Sequence, residues 1–156
     1  MSWTYLIALG SNRPGRHGAP ADQVRAAARA LGASALSPIV ASAAVGPSLR
    51  RYANAAALVD SDLPPPALLA WLKRIEREFG RRRGRRWGAR VIDLDIILWS
   101  GGRWRSPRLT VPHVAFRDRA FVLGPLRALA PGWRDPATGL TIRQLQRRLT
   151  RPRPLA

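Results

Sequence analysis

Apolar and polar positions change period several times along the chain, and each change marks an element. Trp3-Thr4-Tyr5-Leu6-Ile7-Ala8-Leu9 is a β-branched and aromatic run that stops at the turn residues Gly10-Ser11-Asn12, which predicts a first strand. Pro20-Ala21-Asp22 starts a helix in which Val24, Ala27, Ala28 and Leu31 recur at helical spacing until Gly32 stops it. Pro38 to Val45 and Tyr52 to Val59 read as two further strands, able to pair antiparallel around the Gly46-Pro47-Ser48 loop. Pro64-Pro65-Pro66 suits a helix N-terminus, and Leu68, Leu69, Leu72, Ile75 and Phe79 then form an apolar stripe ending at Gly80. Beyond an arginine-rich loop, Val91 to Leu98 is an apolar strand carrying two acids, Asp93 and Asp95. A turn at Ser100-Gly101-Gly102 leads through a proline-punctuated stretch to Val111-Pro112-His113 and Phe121-Val122-Leu123, and an amphipathic segment spans Thr141 to Leu149.

The order strand, helix, strand, strand, helix, strand predicts an α+β sandwich of the split β-α-β type, with a mainly antiparallel sheet. With 156 residues, 46% of them apolar, the chain can bury one sizeable core, so a single domain is expected over residues 1–150 with a loose tail over 151–156. No apolar run approaches the roughly 18 to 20 residues that cross a bilayer, and Met1 leads directly into a strand-like segment, so the expected location is cytoplasmic with no membrane partner.

Composition narrows the chemistry. Zero cysteines exclude disulfides, thiolate zinc sites and cysteine nucleophiles, and with two histidines any metal is expected on oxygen ligands. The formal charge of +18 raises nucleic acid as a partner, but 26 of the 27 basic residues are Arg spread along the whole chain, and Lys73 stands alone among them. That spread looks compositional, which leaves RNA binding as a minor alternative and a field that attracts anionic ligands as the main consequence.

Successive strand side chains face opposite ways, so Asp93 and Asp95 share one face, their attachment points about 6.5 to 7 Å apart, while Ile92, Leu94 and Ile96 share the other. Two close carboxylates among apolar neighbours repel each other unless a cation sits with them, and a hard divalent ion, Mg2+, suits an open site of this kind. The loop just before the strand delivers Arg81, Arg83, Arg86 and Arg90 to the same edge, where guanidinium groups can grip phosphate oxygens. Metal plus arginines describes a polyphosphate site. His113, stiffened by Pro112, could donate to a phosphate as a neutral or cationic imidazole, or make a structural hydrogen bond. Tyr52, Asn54, Trp87 and Phe121 could form a slot for a flat heterocycle, the rings stacking on its faces and the amide reading its edge. A glycosidase pair fits poorly, because two neighbours on one strand face cannot flank a scissile bond.

Taken together these residues resemble the 6-hydroxymethyl-7,8-dihydropterin pyrophosphokinase family of folate synthesis. The resemblance lies in Ala8-Leu9-Gly10-Ser11-Asn12, Tyr52-Ala53-Asn54-Ala55 and Arg86-Trp87-Gly88-Ala89-Arg90-Val91-Ile92-Asp93-Leu94-Asp95-Ile96. Arg108-Leu109-Thr110-Val111-Pro112-His113 and Arg119-Ala120-Phe121-Val122-Leu123 complete it, in order over about residues 3 to 133. The chain departs from the family pattern at Ala89 and Val114, and its stretches 41–52 and 80–86 look shortened.

The resemblance implies a ferredoxin-like α/β sandwich and transfer of the pyrophosphoryl unit of ATP to the pterin's hydroxymethyl oxygen, giving AMP and the pterin diphosphate. It implies Asp93 and Asp95 as ligands of two magnesium ions, and Arg81 and Arg90 beside them in catalysis. It places Arg83, Arg108, Thr110, His113 and Arg119 on ATP, and Val45, Tyr52, Asn54, Trp87 and Phe121 on the pterin. A monomer whose ligands are ATP and a reduced pterin is expected, with action on another pterin as the alternative.

Overall fold

A computed structural model describes residues 2–42, 51–80 and 91–151. Strands β1 (Trp3–Ser11), β2 (Ala35–Leu36), β3 (Val40–Ser42), β4 (Tyr52–Ser61) and β5 (Asp93–Trp99) build one sheet in the order β2-β4-β1-β5, with β3 also on β4. Every pairing in it is antiparallel. Helices α1 (Pro20–Ala30) and α2 (Pro65–Glu78) are the crossovers of two split β-α-β units, which makes the fold a ferredoxin-like α+β sandwich.

Alternation along β1 sets the two faces. Tyr5, Ile7 and Leu9 join Val24, Ala27 and Leu31 of α1 and Leu68, Leu72 and Ile75 of α2 in one buried core. Leu6 points the other way, into a second core with Ala56, Phe116, Leu123, Leu126, Ile142 and Leu145. This second layer comes from helices α3 (Ala120–Leu129) and α4 (Ile142–Thr150). A capping box starts α4, in which the Thr141 hydroxyl accepts the Gln144 N–H at 3.1 Å and the Gln144 side chain accepts the Thr141 N–H at 2.9 Å.

Two expectations need correction, and one segment left without an element type gains one. Of the strand expected from Pro38 to Val45, only Val40–Ser42 forms a strand, β3, among the described residues; β2 at Ala35–Leu36 is a separate pairing before Pro38, which has no N–H to give a ladder. The acid-bearing strand begins at Asp93 rather than Val91, and Val91 and Ile92 are buried just before it. Phe121-Val122-Leu123 opens helix α3, which runs through Gly124-Pro125 because Val122, Leu123, Pro125 and Leu126 bury one face. A two-stranded hairpin, β6 (Trp104–Ser106) with β7 (Leu109–Val111), occupies the proline-punctuated stretch. The tail from 152 onward lies outside the described residues.

Candidate active site

Where α3 leaves the sheet uncovered, a cleft of about 360 Å³ opens over the C-terminal end of β1. Its floor is Ala8 and Gly10. In the sheet register Gly10 lies opposite Asn54 on β4 and Asp93 on β5, and Ala8 lies opposite Asp95. Small residues on the central strand therefore keep the space between the acids and the amide open. A Cβ placed at Gly10 would stand 3.4 Å from Asn54 Oδ1 and 3.6 Å from the Tyr52 ring.

Asp93 and Asp95 form one wall, both half-buried, while Leu94 and Ile96 point into the opposite core as strand alternation requires. A bulge follows, with Leu6 paired to Leu98 and Ile7 to Ile96, so Ile97 has no partner on β1. The Ile97 carbonyl instead accepts the His113 N–H at 3.0 Å. That bond ties the arm carrying His113 directly to the acid-bearing strand.

Glu76 secures the same strand from its outer edge. It is 1% exposed on α2, and its carboxylate accepts the Leu94 N–H at 2.9 Å and a Lys73 ammonium hydrogen at 3.1 Å. Leu94 separates the two acids, so a buried anion satisfies an edge-strand donor at the centre of the pair.

The facing wall is the arm from His113 to Phe121. His113 and Arg119 line the cleft with Phe121 and Val122 of the first turn of α3, where the helix N-terminus adds positive potential. The Arg119 guanidinium lies 5.9 Å from the Phe121 ring centre. His113 Nδ1 accepts the Ala115 N–H at 3.1 Å, which puts the imidazole proton on Nε2. Burial pushes the His113 pKa down; Asp95 opposes this and Arg119 adds to it, so the neutral ring is favoured.

At the remaining end, Asn54 Nδ2 donates to Ser42 Oγ at 2.8 Å, which turns Oδ1 toward Gly10 and the cleft. Tyr52 lies beside it. Of the residues singled out in the sequence, Tyr52, Asn54, Asp93, Asp95, His113, Arg119 and Phe121 thus meet in one cleft. Arg108 and Thr110 are exposed on the β6–β7 hairpin and are not among its lining residues. Val45, Arg81, Arg83, Trp87 and Arg90 lie outside the described residues.

Sequence reasoning gave no site role to Ser42 or Glu76, nor to Ala8 and Gly10, although these two lie in a motif that carries the resemblance. For Glu76 the available signal was a glutamate between the stripe positions Ile75 and Phe79.

Among the described residues no group of three or more His, Cys, Asp or Glu forms a metal cage. The donor set is an open pair of carboxylates, which fits a hard divalent ion that also takes substrate oxygens and water. No helix among the described residues is long and apolar enough to cross a membrane.

Fold and cleft together define a ferredoxin-like sandwich with acids on one wall of an open site and a neutral imidazole and a guanidinium on the other. The chain belongs to the 7,8-dihydro-6-hydroxymethylpterin-pyrophosphokinase family, whose model matches residues 6–131. It is 42% identical over 137 residues to the 2-amino-4-hydroxy-6-hydroxymethyldihydropteridine pyrophosphokinase of Pseudomonas aeruginosa, covering 83% of this chain and 82% of that one. With the enzyme of the same name from Synechocystis it shares 44% identity over 67% of this chain and 53% of the relative, so that match spans about half of the relative's length. In fold it is similar to the Plasmodium falciparum HPPK-DHPS crystal structure with pteroate, at TM-score 0.64 and 14% identity, over 95% of this chain and 42% of that one. A crystal structure of HPPK-DHPS in complex with substrates is likewise similar, at TM-score 0.71 and 11% identity, over 94% of this chain and 44% of that one.

Proposed function

We propose that this chain transfers the β,γ-pyrophosphoryl unit of ATP to the hydroxymethyl oxygen of 6-hydroxymethyl-7,8-dihydropterin, with AMP and the pterin diphosphate as products. The observation that carries the reading is the meeting of Asp93 and Asp95 with His113 and Arg119 across a floor of Ala8 and Gly10. The pterin hydroxyl oxygen forms a bond to the β-phosphorus. The bond from that phosphorus to the oxygen it shares with the α-phosphorus breaks, AMP leaves with the electron pair, and the hydroxyl proton passes to solvent.

Asp93 and Asp95 would hold Mg2+, as two ions by family resemblance, and the metal would neutralise phosphate charge and orient the oxygens. The neutral His113 offers its Nε2–H, and Arg119 a charged fork, to phosphate oxygens on the far side. Arg81, Arg83 and Arg90, and Arg108 and Thr110 on the hairpin, join them by the same resemblance. Phe121 and Tyr52 supply apolar faces for the pterin, and Asn54 Oδ1 supplies an acceptor for its amino edge. Val45 and Trp87 complete that slot in the family pattern. In-line attack at phosphorus depends on positioning and charge neutralisation more than on a strong base, which matches the lack of an assigned one.

The test is incubation of the purified chain with Mg2+, ATP and the pterin, following AMP and pterin diphosphate. AMP that depends on the pterin supports the reading. ATP binding without AMP moves the acceptor to another pterin. A chain that binds neither ligand would be incompatible with the reading and would make RNA the next probe.

A further inference from the structure

The arm that carries His113 and Arg119 is weakly held by its own turn. Phe116 N–H to His113 C=O, Asp118 N–H to Ala115 C=O and Arg119 N–H to Phe116 C=O span 3.4, 3.3 and 3.4 Å, longer than ordinary amide hydrogen bonds. A separate contact lies behind it. Arg117 donates Nε–H to Asp135 Oδ2 at 2.6 Å and Nη2–H to Oδ1 at 2.8 Å, and its guanidinium also stacks over the buried Phe116 ring at 4.6 Å.

Asp135 is 0% exposed and its remaining acceptor sites are filled by Ala137 N–H at 3.0 Å and Thr138 Oγ1–H at 2.8 Å. The loop bearing it is in turn fixed to the start of α4, through Ile142 N–H to Trp133 C=O at 3.0 Å and Arg143 N–H to Pro131 C=O at 3.1 Å. The carboxylate is therefore a fixed point, and the planar fork of Arg117 transmits its position to the middle of the arm. Neither Arg117 nor Asp135 lines the cleft.

We infer that the pair of half-buried Arg117 and buried Asp135 is a positioning device that sets nucleotide affinity by holding His113 and Arg119 at the phosphate side of the cleft. This rests on the ATP site proposed above. At the pterin end Tyr52 and Asn54 are built on β4 and Phe121 is carried by helix α3, beyond the turn that the pair holds, so the two ligands should respond differently.

The experiment compares full-length wild type with Asp135→Asn and Arg117→Lys. Each is titrated separately with Mg2+ plus α,β-methylene-ATP and with 6-hydroxymethylpterin, below the melting temperature of every variant. Displacing an oriented binding group by about 1 Å is costly, so Asp135→Asn should weaken the nucleotide about 10- to 100-fold with pterin affinity within about threefold. Arg117→Lys, which keeps the charge and loses the fork, should weaken it less. Nucleotide affinity unchanged beside a lowered melting temperature would overturn the inference, because the pair would then be structural only. Loss of both ligands together would also overturn it. Wild type that binds no nucleotide would remove the proposed function itself, an outcome distinct from wild type and variants binding alike. If Asp135→Asn does not fold, Arg117→Lys decides alone.

Discussion

The two walls of the cleft are anchored by different physics. Asp93 and Asp95 stand on β5, whose ladder to β1 runs from Asp93 to Trp99 with one bulge at Ile97 and whose outer edge is held by Glu76. His113 and Arg119 stand on a turn with long internal hydrogen bonds, located by one bond to Ile97 and by the Arg117–Asp135 pair. Each wall thus depends on a buried carboxylate behind it, but one secures a strand that already has a partner and the other secures a turn whose further anchor is the Phe116 ring in the second core. Damage to the first should appear mainly as lost stability, and damage to the second mainly as lost ligand geometry.

The sharpest way to separate anchoring from chemistry is to remove an acid itself. Asp95→Ala leaves β5 paired and should lower kcat about 10³-fold or more, the scale of losing a preorganised charge at a reacting centre. Circular dichroism should remain that of wild type while AMP formation disappears. Glu76→Ala tests the anchor instead. It leaves the buried Leu94 N–H unsatisfied and Lys73 without this partner, so urea denaturation should show a loss of about 2–4 kcal/mol.

A pH series probes the other anchor. Burial alone would push the Asp135 carboxyl up, but hydrogen bonds from Arg117, Ala137 and Thr138 outweigh it and hold the carboxyl below its usual value. A depressed folded-state value means that this stabilisation is fully present at neutral pH and is lost as pH falls below about 4. The denaturation midpoint of wild type should therefore drop more steeply below about pH 4 than that of Asp135→Asn.

The smallest effect is expected at the floor. Gly10→Ala puts a methyl 3.4 Å from Asn54 Oδ1, an ordinary contact. It should change stability by no more than about 1 kcal/mol and raise the pterin KM only a few-fold. A tenfold change would mean that the heterocycle sits directly on Gly10.

Much of this was legible from local pattern. A β-branched and aromatic run located β1, an apolar run located β5, and strand alternation placed Asp93 and Asp95 together, because strand geometry settles which side chains share a face. Helical spacing with a proline start and a glycine stop located α2 to within a residue or two. Helix α3 was not legible, since Gly124-Pro125 reads as a break and only burial of Val122, Leu123 and Leu126 makes the helix worthwhile. The start of β3 at Val40 rather than at Pro38 was likewise not legible from the apolar run.

The order of elements, the acid pair and the residue types for phosphate and heterocycle are local properties of the chain, so sequence by itself determined the fold class and the family. Tertiary structure decided which groups meet. Gly10 became a floor only because β1 lies between β4 and β5. Glu76 and Leu94 are brought together by a helix packing on a sheet edge, and Arg117 and Asp135 by a loop returning to the arm. Residues 18 positions apart in both pairs bear no periodic relation in sequence, and only the closing of the chain on its core turns them into supports.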